Sequence, residues 1–311
     1  MNMFTAINAH PQGSESLPQT EAPTLSSSAM LVELNISNWA GYKKDKRASD
    51  KVTADAQAKK GVANVTKKLL ANSDTLNAIQ THVTATRNMH TAMTMPWSNS
   101  GLRLLPTAQY FNYTQAMSGM ENKFNLLLAE FLKSYNDEVV DVQLRLAGLG
   151  DLFRAEDYPT CESLWHKFAF RMSYMPLPDA GDFRIDISND ALREVKEQYA
   201  NFYTKQFDTA MNDVWTRLHK VLSNMSERLD YVSKDDKKVF KDTLVGNVTA
   251  MIELLRVCNV NNSAQMSAMA VRIEEAMSGV TAAGLRDDDY FRVETKAAVD
   301  AAIKALPSLD I

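Results

Sequence analysis

The chain has 311 residues, 45% of them hydrophobic, and a formal net charge of −4. That balance excludes a globally basic nucleic-acid or anionic-membrane binder, and two cysteines exclude a disulfide framework. No uncharged apolar run reaches the roughly 18 residues that a membrane-spanning helix needs, so a cytoplasmic, soluble protein with free thiols at Cys161 and Cys258 is expected.

Residues 1–28 are rich in Ser, Thr, Pro, Gln and Glu, with Pro11, Pro18 and Pro23 spaced through them. Such a composition predicts a disordered tail, and nothing in Met1 to His10 has the form of a secretion signal. Ala29 to Ile36 alternates weakly, as a short strand or an extended lead-in would. Helices are predicted over Asp45 to Ala71 and Asp74 to Met95, with Asp74 as the cap and Pro96 as the stop. From Asn88 to Met120 the only charge is Arg103, and Trp97, Leu102, Leu104, Leu105, Tyr110 and Phe111 fall within that stretch. It is either buried in a bundle or a contact surface, and burial is preferred.

Two long segments carry a three-four apolar spacing. In Thr107 to Ala147 the stripe runs through Met117, Met120, Phe124, Leu127, Phe131, Tyr135, Val139, Val142 and Leu146. In Asp190 to Tyr231 it runs through Leu192, Val195, Tyr199, Phe202, Met211, Val214, Leu218, Leu222, Met225 and Leu229, with one irregular step near Phe207. Each helix would extend about 60 Å, and neither can bury its own stripe. The expected fold is therefore mainly α, an elongated bundle built on a long antiparallel helical hairpin.

Between the two helices, residues 148–188 hold seven aromatics, among them Tyr158, Trp165, Phe168 and Phe183. Cys161 to Phe168 has helical spacing, Pro176 and Pro178 forbid helix, and Asp182 to Ile187 alternates as a strand that Ala169 to Met175 would partner. This predicts a helix-plus-β-hairpin module inserted in one discontinuous helical domain, 29–147 with 189–311. Three further helices follow. One opens near Ser233 and runs to Cys258, one is capped around Asn261 to Ser263, and the last is favoured by Asp287 and Asp288 and closed by Pro307.

Catalytic templates are missing. There is no Gly-x-Ser-x-Gly, no phosphate loop, no His-Glu-x-x-His, and Gly148 with Gly150 lacks the third glycine of a dinucleotide site. His90 falls on a helical stripe with Leu76, Ile79, Val83 and Met93, where a hydrogen-bonded core histidine is expected rather than a metal ligand. Asp287 to Asp289 reads as a capping run. No catalytic residue, cofactor or metal is assigned. Lys43 to Lys68 holds nine Lys or Arg against three Asp. Spread around a helix with no aromatic beyond Tyr42, those charges read as a solvated face rather than a nucleic-acid contact.

Several short segments resemble those of an uncharacterised, largely phage-encoded helical family. They are Leu34-Asn35-Ile36-Ser37 with Trp39, Gly41, Lys44-Asp45-Lys46, Asp157-Tyr158-Pro159, Lys167-Phe168, the spaced Pro176 and Pro178, and Asp182-Phe183-Arg184. Genes of that family often stand beside a MoxR-type AAA+ ATPase and a von Willebrand factor A domain protein resembling cobalt chelatase subunits. The resemblance implies a phage protein that works with such an ATPase in the host cell, and it supplies no catalytic residues. A non-enzymatic adaptor or scaffold follows as the leading expectation, with homo-oligomerisation open. Its interaction candidates are Trp39, Trp97, Tyr158, Pro159, Trp165, Phe168, Asp182, Phe183 and Arg184. A virion structural or pore-forming-like protein is the alternative, disfavoured by 11 charges in the insert. Nucleic-acid binding through residues 43–68 is third.

Overall fold

The computed structural model describes residues 25–59, 61–146, 153–177, 189–231 and 241–308. Most of the 1–28 tail, the Asp182-Phe183-Arg184 signature and the predicted strand Asp182 to Ile187 lie outside them. Leu25–Ser28, expected to be disordered, forms one helical turn, α1. The strand alternative holds for the lead-in, where β1 spans Ala29–Ser37.

The predicted helix from Asp45 to Ala71 is corrected. The chain forms β2 (Tyr42–Asp45), a ten-residue α2 (Lys46–Asp55) and β3 (Val65–Lys68), with β2 and β3 paired as an antiparallel ribbon. The helix stops because Gln57 at φ 50 and Gly61 at φ 94 turn the backbone out of it. α3 covers Asp74–Met93 with Ser73, one residue before the predicted cap, accepting from the Leu76 amide. β4 (Met95–Pro96) and β5 (Arg103–Pro106) then form a hairpin inside the low-charge stretch.

The two long helices are α4 (Tyr110–Leu146) and α6 (Asn189–Leu229). Between them stand α5 (Cys161–Trp165) and β6 (Ala169–Pro176). The remaining helices are α7 (Thr243–Cys258), α8 (Ala264–Ala276), α9 (Ala282–Asp287) and α10 (Asp289–Lys304). Asp288 caps α10 by accepting from the Phe291 amide, so the acidic run is a capping run. The fold is mainly helical around a small antiparallel sheet.

The expected pairing of the long helices is corrected too. α4 packs chiefly on α3, whereas α6 packs on α7 and α10. The stripe of α4 buries Tyr113, Met117, Phe124, Leu128, Phe131, Tyr135 and Val142, and α6 buries its side chains from Ala210 onward while Phe202 stays half exposed. Two cores result. One joins α6 to α7, α8 and α10; the other joins α3, α4 and α5.

A four-stranded sheet in the order β4-β5-β1-β6 stands between the cores. β1 takes β5 on one side (Met30 opposite Leu105) and β6 on the other (Met30 opposite Pro176). Because side chains alternate across a strand, Leu31, Leu104 and Met175 meet the α6 core. Val32 and Leu105 face Tyr113 and Met117 of α4, and Ile36 and Phe170 join the α3–α4 core. β6 therefore does not form a hairpin with residues of its own insert among the described residues. Among the described residues β6 is an outer strand of the sheet, and a strand of the insert and a strand of the low-charge stretch flank the same strand, β1.

Candidate interaction site

Residues flanking β1 at its Ser37 end build a joint that draws most of the signature segments together. Gly41, at φ +70, turns the chain, and its carbonyl accepts from the Leu69 amide at 2.8 Å. A side chain there would meet Leu76 Cδ2 at 2.9 Å, so glycine answers both the backbone sign and the space. The turn lays Trp39 against α4, its ring 6.3 Å from Phe131 and 6.1 Å from Tyr135. Gln80 of α3 donates to the carbonyls of Trp39 and Ala40, and Arg87 donates to the Ile36 carbonyl at 2.8 Å.

The segment 153–168 closes over this joint. Tyr135 donates its hydroxyl to the Pro159 carbonyl at 2.8 Å, and Tyr158 donates to the Leu69 carbonyl at 3.1 Å. Phe153 stacks on Tyr158 with ring centres 5.2 Å apart. Thr160 caps α5, whose Leu164 is fully buried, and Phe168 packs its ring 5.9 Å from Phe131. Burial raises the Tyr135 and Tyr158 hydroxyls above their ordinary pKa. Both stay neutral donors.

Asp157 anchors the ribbon to the joint. Lys43 Nζ lies 2.7 Å from one carboxylate oxygen and Lys67 Nζ contacts the other. Burial alone would raise this carboxyl, but hydrogen bonds and charge from Lys43 and Lys67 outweigh it and hold the group below the usual range. Lys44, Lys46, Arg47 and Arg154 join these residues around a cleft of about 230 Å³. The sequence signal for this ion-paired joint was the basic run itself, read on the wrong scaffold.

A second polar joint was not anticipated. At the end of α3, Arg103 donates to the Thr94 hydroxyl at 2.6 Å and to the Thr94 carbonyl at 3.0 Å. Arg217 of α6 donates to the carbonyls of Ala92 and Thr94 and pairs with Asp213 at 2.6 Å. Two guanidinium groups thus satisfy the open carbonyl end of a helix. His90 beside them shares a 2.7 Å hydrogen bond with the Tyr113 hydroxyl, as a core histidine should. Burial, with help from Arg103, lowers His90 to about 4.

The predicted site residues divide clearly. Trp39, Tyr158, Pro159 and Phe168 meet in the first joint as packing and hydrogen-bonding parts. Trp97 is 5% exposed and sits edge-on to Tyr203 of α6, so burial of the low-charge stretch holds at this ring. Trp165, on α5 beside the joint, is 55% exposed. Asp182, Phe183 and Arg184 lie outside the described residues. Among the described residues no cluster of His, Cys, Asp and Glu could hold a metal, and no helix is long and apolar enough to cross a membrane. Comparison with protein-family models, with curated proteins and with solved structures gives no match.

Proposed function

We propose that this chain is a non-enzymatic scaffold of a phage-encoded assembly, and that its working surface is the corner around Trp165. The observation that carries this reading is the division of labour at that corner. Leu164 and Phe168 are buried in the α3–α4 core and Tyr158 is tied to the Leu69 carbonyl, while Trp165 between Leu164 and Phe168 stays 55% exposed. A rigidly held, exposed tryptophan is a strong anchor for a protein partner. The partner that the family resemblance supplies is a MoxR-type AAA+ ATPase, met inside the infected cell.

The test is co-purification of the full chain from infected cells with a MoxR-type AAA+ ATPase, followed by titration of the purified pair. Trp165→Ala should weaken the complex by at least about tenfold while leaving the circular dichroism spectrum and melting temperature unchanged. Failure to recover an ATPase from infected cells, or full affinity in Trp165→Ala, overturns the reading.

A further inference from the structure

We infer that the outer face of the β2–β3 ribbon is a binding surface for single-stranded nucleic acid. Its register sets Tyr42 opposite Lys68, Lys43 opposite Lys67 and Lys44 opposite Thr66. Directly opposed residues of an antiparallel pair share a side, and successive residues alternate. Lys43 and Lys67 therefore share the inner side, where both are held on Asp157. Tyr42, Lys44, Thr66 and Lys68 share the other side, and all four are exposed, Tyr42 at 55%.

This is a different object from the helix expected over these residues. On a helix the cations point in every direction and Tyr42 stands apart from them. On the ribbon the tyrosine ring has one lysine directly across from it and another two residues along, about 7 Å away. The face is also stiffly mounted. Asp157 grips its back, the Gly41 carbonyl accepts from the Leu69 amide at one end, and the Ser49 hydroxyl accepts from the Val65 amide at 2.9 Å at the other.

An aromatic face flanked by cations is the arrangement on which an unpaired base stacks while neighbouring phosphates are neutralised. The ring decides against an acidic peptide, which would use the lysines and leave the tyrosine without a purpose. The exposed base of a single strand can reach it; in a duplex the base faces are covered by their neighbours. The chain's net charge of −4 does not oppose this, because the field that a ligand meets within a Debye length of about 8 Å is that of the ribbon.

The experiment is fluorescence anisotropy of the full chain with labelled oligo-deoxythymidylate and oligo-uridylate between about 50 and 200 mM salt. Binding should weaken steeply with salt. Tyr42→Ala should reduce affinity about tenfold with the salt slope intact, and Tyr42→Phe should restore it. Lys44→Ala with Lys68→Ala should flatten the slope of log K against log salt by about 1.4, two phosphate contacts at roughly 0.7 each. These side chains are exposed, so the variants should fold, and matched melting curves verify it. Absence of binding at the lowest salt overturns the inference. So does equal competition by polyglutamate or by duplex DNA together with an unaffected Tyr42→Ala.

Discussion

Tyr135, in the middle of the first long helix, donates its hydroxyl to the carbonyl of Pro159, 2.8 Å away. That bond pins the returning segment to the helix it has just left. Tyr135→Phe removes the donor, leaves the ring packing intact and strands a half-buried carbonyl, so it should cost about 1–2 kcal/mol in urea unfolding. Loosening should be local. Hydrogen exchange should rise over residues 153–168 before it rises in α8 or α10.

Asp157→Asn removes the carboxylate charge that Lys43 and Lys67 share, at a cost of about 1 kcal/mol. The wild-type carboxyl is held below its ordinary pKa, so its contribution is complete above that ordinary value and is lost as pH falls through the lowered one. Acid unfolding curves of the variant should therefore lack this low-pH component.

His90 contributes in a higher window. Its pKa falls from 6.5 to about 4 on folding, so the unfolded chain takes up a proton first as pH drops. Stability is unaffected above 6.5, declines between 6.5 and about 4, and by the linkage relation loses about 3 kcal/mol over that interval. His90→Gln should flatten this part of the stability–pH curve. A slope retained between pH 6 and 4.5 would show that another group carries it.

Gly41→Ala should destabilise the protein by about 1–2 kcal/mol, combining a left-handed backbone with the contact on Leu76. Shortening Leu76 to Ala in the same chain should recover only the steric share, because φ stays at +70. A double-mutant cycle in urea separates the two.

Cys258 is 1% exposed, and burial is the main cause that pushes its thiol up to about 12. Native protein at neutral pH should therefore resist maleimide labelling at Cys258, with modification appearing only as α7 is unfolded by denaturant. Peptide mass mapping across a urea series would read this directly.

The long helices and their stripes were legible because a 3.6-residue period over thirty or more positions is a strong signal, and the caps at Ser263 and Asp288 were legible from local chemistry. Local chemistry also carried the fates of His90 and of Asp287 to Asp289. What failed was pairing. The three-four stripes of α4 and α6 fit each other equally well on paper, and nothing in them records that α3 and the α7–α10 group would cover them instead. The four-residue strands at Tyr42–Asp45 and Val65–Lys68 fell below any periodicity, and Ala, Lys and Val between them read equally well as helix. The inward turn of Trp39, Tyr158 and Phe168 was invisible for a related reason. An aromatic residue in a loop-rich insert carries the same sequence signature whether it locks a joint or meets a partner, and only the packing of Phe131 and Tyr135 tells them apart.

The strand at Ala29–Ser37 imposes an order of events on biosynthesis. It leaves the ribosome well before its partners at Arg103–Pro106 and Ala169–Pro176. At roughly 5–20 residues per second, the wait for the second partner is on the order of ten seconds. Throughout it Leu31, Val32 and Ile36 lack the partner strands that flank them in the finished sheet, and such uncovered strand edges invite association with other chains. Ribosome-associated chaperones that shield nascent apolar strands should therefore govern the yield of this protein more than its final stability does.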